Sequence, residues 1–314
     1  MKSIIFIIPF FGKWPIWFDA HLLSIKANPT VQWLFYTDCN IPDKHPPNCT
    51  FVNTTLQDME VLFTKKIGVP IKIDKPYKLC DLKPSYGHVF EDAIRNFDFW
   101  GFTDIDIIWG NIRKDITPEV LIDFDIISSR KDLISGHFNI FRNVDTINKL
   151  YQKNDWYKIA YINPQMKRFC EGTFSEITNE AIKEDLIKVK WDKILCNQEN
   201  GRDSHQEYYL DRWLWKDGKI LELKNGEPIN EVMYLHFINW KRTMKYCEIQ
   251  YDENVRTFYI SYIGMHYKTH SSLAKNCNIF KNVFNGYNIR ESRRMQKKKI
   301  QRTIKRIKRK IFKY

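Results

Sequence analysis

Two aspartates one residue apart, Asp104 and Asp106, close an aromatic-rich run from Phe97 to Gly110, FDFWGFTDIDIIWG. On a strand, alternate side chains leave the same face, so the two carboxylates would project together. Like charges side by side at a buried strand end are unfavourable unless a proton or a cation lies between them. A hard divalent ion such as Mg2+ or Mn2+ takes one or two such carboxylates and keeps positions open for phosphate oxygens. The triplet by itself is a weak signal, because a chain with 22 aspartates in 314 residues meets Asp-x-Asp by chance once or twice. Context separates it from Asp123-Phe124-Asp125, which lies between a helix-like and a strand-like segment where acids cap and turn. Gly101 and Gly110 bracket the first triplet at positions where backbone could approach a ligand closely.

The elements that must position these acids alternate. Residues 2–8 (KSIIFII) read as a buried, parallel-type strand, since continuous β-branched runs suit strands covered on both faces. A helix fits 16–27, strands fit 31–36 and 50–53, helices fit 56–66 and 83–96, and a strand fits 97–103. Alternating strands and helices imply a mostly parallel sheet, and ligands on such sheets lie beyond the carboxyl ends of the strands. The loop after residue 8, Asp38 and the Asp104/Asp106 pair all fall at such ends. From Asp123 onward the pattern turns to strands with mixed connections, 125–129, 133–141, 212–216, 219–224 and 232–240, with Asp217-Gly218 turning a hairpin.

Composition bounds the rest. With 43% apolar residues the chain can bury a substantial core. No apolar run approaches the ~20 residues of a membrane span. The opening MKSIIFIIPFFGKW carries a Lys and a short apolar block, but Pro9, Gly12 and Pro15 interrupt it and no small-residue cleavage site follows, so it reads as a first strand. Seven scattered cysteines (39, 49, 80, 170, 196, 247, 277) without a C-x-x-C pair argue against a disulfide framework or a zinc site and for a reducing cytosol. Residues 290–314 hold thirteen Lys or Arg against one Glu, so +12 of the chain's +13 resides there and the other 289 residues sum to +1. Met295, Ile300, Ile304, Ile307 and Ile311 form one apolar stripe among those bases. Such helices lie on anionic membranes. A solvated tail and a nucleic-acid contact are the other readings; against the latter, the body shows no basic groove or nucleic-acid motif.

The stretch YKLCDLKPSYGHVFEDAIRNFDFWGFTDIDIIWGNI, with IIPFFGKWPIWF, LFYTD, SGHFNIFRN and LHFINWKR in order over residues 2–245, resembles bacterial sugar-nucleotide-dependent glycosyltransferases of the GT-A fold, of the capsule and O-antigen type. The resemblance implies a Rossmann-like α/β fold, with a mixed, mostly parallel sheet flanked by helices, a smaller acceptor-side subregion and a basic C-terminal amphipathic helix. It implies Mn2+ or Mg2+ on the diphosphate of a UDP-sugar, with Asp104, Asp106 and His236 as ligands. His236 is the one histidine of eight inside a strongly apolar strand, and neutral imidazole is a competent ligand. Asp104 would also orient the ribose or donor sugar, Pro9, Phe10, Phe11 and Asp38 would flank the base, and Asp81 and Lys83 would lie near the ribose and phosphates. Asp81-Leu82-Lys83-Pro84 equally reads as a helix start, with Asp as cap and Pro in the first turn. Lys241 would stabilise charge on the leaving diphosphate. It comes one residue earlier than in the glycogenin-like pattern, in which Gly stands where Asn239 is.

Gly136, His137, Arg142 and Trp240 are the acceptor-side candidates. An inverting transfer needs a general base, for which Glu176 is the choice and Asp203 and Glu207 the alternatives; a retaining one needs none. The expected division is 1–122 for the nucleotide-sugar half, 123–289 for the acceptor half and 290–314 for the tail. The function so implied is hexosyl transfer to a glycan acceptor, lipid-linked, on the inner face of the cell membrane. The competing readings are a sugar nucleotidyltransferase, whose Gly-rich phosphate loop is missing from PFFGKWP, and a non-enzymatic tethering protein driven by the tail.

Overall fold

The computed structural model of the chain describes residues 1–192 and 208–284, together with 293, 296, 297, 299, 300, 303 and 304. Strand β1 (Ile4–Pro9) shows why its sequence is apolar throughout: Ile4, Phe6 and Ile8 enter one core and Ile5 and Ile7 the other. β2 (Val31–Thr37), β3 (Cys49–Asn53) and β4 (Phe99–Thr103) run parallel with it. After β5 (Ile107–Trp109), which leaves the sheet, β6 (Ile126–Ser128), β7 (Phe138–Arg142) and β8 (Val189–Trp191) complete it. The seven-stranded order is β3-β2-β1-β4-β7-β6-β8, with β7 antiparallel to both neighbours and the other pairs parallel. This mixed, mostly parallel sheet flanked by helices is the fold class the sequence implies, and it runs on across residue 122.

Helix α1 (Phe18–Lys26) covers one face with Phe18, Leu22 and Ile25. α2 (Leu56–Ile67) covers the other with Met59, Phe63 and Ile67, started by a Thr55/Asp58 capping box and ended by Gly68 at φ 77°. The single helix expected over 83–96 is a broken run instead: α3 (Leu79–Leu82), a 3-10 turn at Lys83–Ser85, α4 (Tyr86–Val89) and α5 (Glu91–Ile94). Pro84 supplies no N–H within it. Gly87 lies so close to Trp100 and Asn148 that a Cβ would collide with both, so tertiary contact sets this path. Short helices α6 (Ile112–Asp115), α7 (Pro118–Asp123), α8 (Asp145–Asn148) and α9 (Trp156–Ile162), and the longer α10 (Thr173–Lys183), follow.

A second sheet is built from β9 (Trp213–Lys216), β10 (Lys219–Lys224), β11 (Glu227–Val232), β13 (Tyr246–Cys247), β14 (Thr257–Ser261) and β15 (Gly264–His266), in the order β11-β10-β9-β14-β15-β13. Asp217 and Gly218, at φ 47° and 77°, make the predicted two-residue hairpin between β9 and β10. The strand expected over 232–240 is only β12 (Tyr234–His236), and it pairs with β5, placing His236 opposite Ile107. Helix α11 (Ser272–Phe284) follows the second sheet. Among the described residues no helix is long and apolar enough to cross a membrane.

Candidate metal and nucleotide site

β4 stops at Thr103, so Asp104 and Asp106 stand in a bend between β4 and β5 rather than on a strand. Strand alternation therefore does not align them, and their burial differs: the Asp104 side chain is 33% exposed, that of Asp106 5%. The bend is nonetheless fixed at several points. Asp104 N–H donates to His137 O at 3.0 Å, and Phe237 N–H donates to Asp106 O at 3.1 Å. From α1 and its lead-in, Trp17 Nε1 donates to Ile105 O at 3.0 Å and His21 Nδ1 to Ile107 O at 2.6 Å. Pairing of β5 with β12 then carries His236 to Asp106, with Nε2 3.6 Å from Oδ2.

Two lysines complete the cluster. Lys83 Nζ lies 2.5 Å from Asp104 Oδ1 and donates to Gly136 O at 2.7 Å. Lys241 Nζ lies 3.0 Å from Asp106 Oδ2. Burial would lift the Asp106 carboxyl, but the charges of His236 and Lys241 and their hydrogen bonds hold it well below the carboxylate range. Burial would likewise lower the Lys83 and Lys241 ammonium groups, and their aspartates raise both instead. One oxygen each from Asp104 and Asp106 and one nitrogen of His236 all lie within 4.8 Å of one another. Two carboxylates and an imidazole suit a hard-to-borderline divalent ion such as Mn2+ or Mg2+, with room for further oxygen ligands.

A family profile described as "Family of unknown function (DUF6625)" matches residues 6–269. The chain belongs to this family. No curated protein matches it. Among solved structures it is similar to mouse xyloside xylosyltransferase 1, at 8% identity over 75% of this chain and 96% of that one, with a TM-score of 0.35. It is similar to the galactosyltransferase LgtC in complex with donor and acceptor sugar analogues, at 9% identity over 75% and 87%, with a TM-score of 0.36. The glycosyltransferase GlyE of Streptococcus pneumoniae TIGR4 aligns at 11% identity over 63% and 46%, with a TM-score of 0.34. At such scores the likenesses carry no weight for activity in this member of the family.

The remaining sequence candidates divide. Pro9, Phe10 and Asp38 lie at the carboxyl edge beside β1 and β2, where Asp38 Oδ1 accepts Gly12 N–H at 2.7 Å. Beside them opens a cavity of about 630 Å3 lined by Trp14, Phe18, Asp19, Asn40 and Asp43. Phe11 is instead turned into the core. Asp81 is fully buried, neither a cap nor a nucleotide contact: it accepts from Lys78 Nζ at 3.0 Å, Lys167 N at 2.7 Å and Phe169 N at 2.9 Å. One helical turn sets Lys78 beside it, so the pair is satisfied internally. Arg142 is at the opposite edge of the sheet, because antiparallel β7 sets it against Phe99, and it binds Asp125 at 2.7 Å and the carbonyls of Leu121, Ile122 and Phe124.

His137 is buried and not an acceptor contact: its ring stacks on His236 at 4.0 Å, with Nδ1 2.8 Å from Ser135 Oγ and Nε2 2.9 Å from Tyr234 OH. Burial first, then the neighbouring His236, pushes its pKa well down and keeps it neutral. Trp240 is enclosed in the core beneath the second sheet. Gly101 and Gly110 serve packing, not ligand approach: a Cβ would strike Asn139 O and Phe6 at the first and Val232 O at the second. Glu176 is exposed on α10, while Asp203 and Glu207 lie outside the described residues. The sequence reading missed Glu171, whose carboxylate packs against Gly136 and faces Arg130 at 3.8 Å. It missed Trp14, Trp17 and His21 as well, although the spacing of Trp17 and His21 by one helical turn was visible. The six described cysteines are free.

A second group, Asp211, His266 and His270, also brings ligand atoms within 4.8 Å. Here Lys275 Nζ, 3.0 Å from Asp211 Oδ2, already supplies the countercharge. With His270 Nδ1 2.7 Å from Oδ1, the group clamps α11 to the second sheet. A cavity of about 840 Å3 beside that clamp shares no lining residue with the Asp104–Asp106–His236 cluster.

Proposed function

We propose that this chain is a metal-dependent glycosyltransferase that moves a hexose from a UDP-sugar to a hydroxyl of a glycan acceptor, lipid-linked, in bacterial surface polysaccharide synthesis. The observation that carries the reading is the convergence of Asp104, Asp106 and His236 within 4.8 Å at the carboxyl edge of a mostly parallel sheet, with two lysines in contact. These three residues would hold Mn2+ or Mg2+, and the bound ion supplies charge neutralisation to a nucleotide diphosphate. Asp104, the more exposed acid, would orient the ribose or donor sugar as well.

Lys241, together with His236, holds the buried Asp106 carboxyl ionised, and Lys83 meets Asp104 directly, so the cluster would be ready to exchange its lysine contacts for a cation. Lys241, 41% exposed at its side chain, would turn from Asp106 toward phosphate oxygens and stabilise the charge that develops as the glycosidic bond breaks. The nucleoside end would use Pro9, Phe10, Asp38 and the cavity at Trp14. On the other side of Lys83, Glu171 with Arg130 is a better-placed carboxylate for an acceptor hydroxyl than Glu176. The basic residues 290–314 would hold the enzyme on the anionic inner face of the membrane, where a lipid-linked acceptor resides.

Calorimetric titration with UDP and GDP, with and without Mn2+, tests the reading. UDP binding that requires Mn2+ and falls at least about 100-fold in Asp106→Ala is the expected result. Metal-dependent nucleotide binding that survives Asp106→Ala intact would overturn it.

A further inference from the structure

Helix α11 is packed inside out. The residues it turns to the body are hydrophilic: Lys275 binds Asp211 at 3.0 Å, Asn278 accepts from Tyr262 OH at 2.6 Å and donates to Tyr208 O at 2.8 Å, and Asn282 donates to Tyr208 O at 2.5 Å. Positions 275, 278 and 282 share one helical face. The opposite stripe, Leu273, Cys277, Phe280 and Phe284, is solvent-exposed, with Leu273, Phe280 and Phe284 at 73%, 76% and 93%, and Val283 beside it at 64%. An ordinary surface helix points its apolar stripe at the core. Here a half-buried polar clamp fixes the reverse orientation, and a contiguous apolar patch so presented marks an interaction surface.

What covers it is indicated by charge. Residues 290–314, which begin six positions after Phe284, carry +12. Ile300 and Ile304, both helical, are exposed too, at 59% and 47%. Aromatic and aliphatic residues facing outward, followed at once by dense Lys and Arg, match an interface of apolar acyl boundary and anionic headgroups.

We propose that the outward face of α11 inserts into an anionic lipid bilayer, with the basic segment supplying the electrostatic half of the contact. This rests on the reading that 290–314 meets an anionic surface and adds a depth-setting apolar wedge to it; it does not depend on the reaction catalysed. The test is co-sedimentation of the full chain with phosphatidylcholine vesicles, with and without phosphatidylglycerol, at low and high salt. Phe280→Ser/Phe284→Ser, whose side chains make no core contact, is compared with deletion of 290–314. The expected result is partition onto anionic vesicles that falls at least about tenfold in the double variant and loses its residual salt-resistant part, while deletion of 290–314 removes the preference for anionic lipid. If the double variant binds as well as the parent while the deletion abolishes binding, the tail reading stands and the wedge is refuted. If neither form binds vesicles, or if α11 proves to be buried in a dimer that the double variant dissociates, the proposal fails.

Discussion

At the scale of single residues, the site is a balance of charge between a buried acid, Asp106, and partly exposed partners, Asp104 and Lys241. Asp106 is ionised because His236 and Lys241 outweigh the cost of burial. Its depressed pKa contributes stability that is present above the unfolded value of about 4 and is lost only in stronger acid. Lys241→Ala should lower turnover of donor by about 100-fold, with a smaller change in KM, in a donor-hydrolysis assay; equal activity would remove the lysine from the chemistry. His21 acts differently. Burial, against its hydrogen bond to Ile107 O and the charge of Asp106, lowers its pKa to about 4. In the unfolded chain it takes up a proton near pH 6.5, which the folded chain refuses until about 4, so stability falls as pH drops through that window, by roughly 3 kcal/mol in total. Thermal unfolding between pH 7 and 4 should show this loss, and His21→Gln should flatten it.

At the scale of elements, the decisive joint is the bend between β4 and β5. Trp17 reaches it from the lead-in to α1 and ties Ile105 between the two acids. Trp17→Phe keeps the packing but deletes that hydrogen bond, worth about 1 kcal/mol. Divalent-ion affinity should drop severalfold by calorimetry, with the unfolding midpoint only slightly lower; an unchanged affinity would show that the bend is held without it. Gly101 in β4 faces Asn139 O and Phe6 with no space for a methyl group. Gly101→Ala should therefore cost about 2 kcal/mol or more in urea unfolding, a measurement that separates a packing glycine from one kept free for a ligand.

At the scale of the whole molecule, charge is segregated. The body is close to neutral while the last 25 residues carry +12. Removing 290–314 should leave donor hydrolysis intact and remove the preference for anionic over neutral vesicles. Loss of hydrolysis in that variant would show that the tail belongs to the catalytic body. The seven-stranded sheet supplies one edge at which the ends of β1, β2 and β4 gather Asp38, Asp104 and Asp106, as expected for ligand sites on parallel sheets. The second sheet contributes more than bulk, since the chain leading out of it returns β12 to β5 and so delivers His236.

How much of this was legible beforehand follows from the reach of each signal. The apolar run of β1, the Thr55/Asp58 cap of α2 and the Asp217-Gly218 hairpin are local, and sequence alone determined them because neighbouring residues fix their own backbone. The Asp104/Asp106 pair was likewise visible, although as a strand end rather than a bend. Asp81, Arg142, His137 and Trp240 were misread because a residue's type does not say which partner reaches it. Lys78 and two backbone amides consume Asp81, and an antiparallel strand carries Arg142 to the far edge. His236 stacks on His137, and a buried core encloses Trp240. Only tertiary structure decided these, and with them which acid stays exposed, which lysine meets it and which face of α11 looks outward, because each depends on contacts between segments tens to hundreds of residues apart.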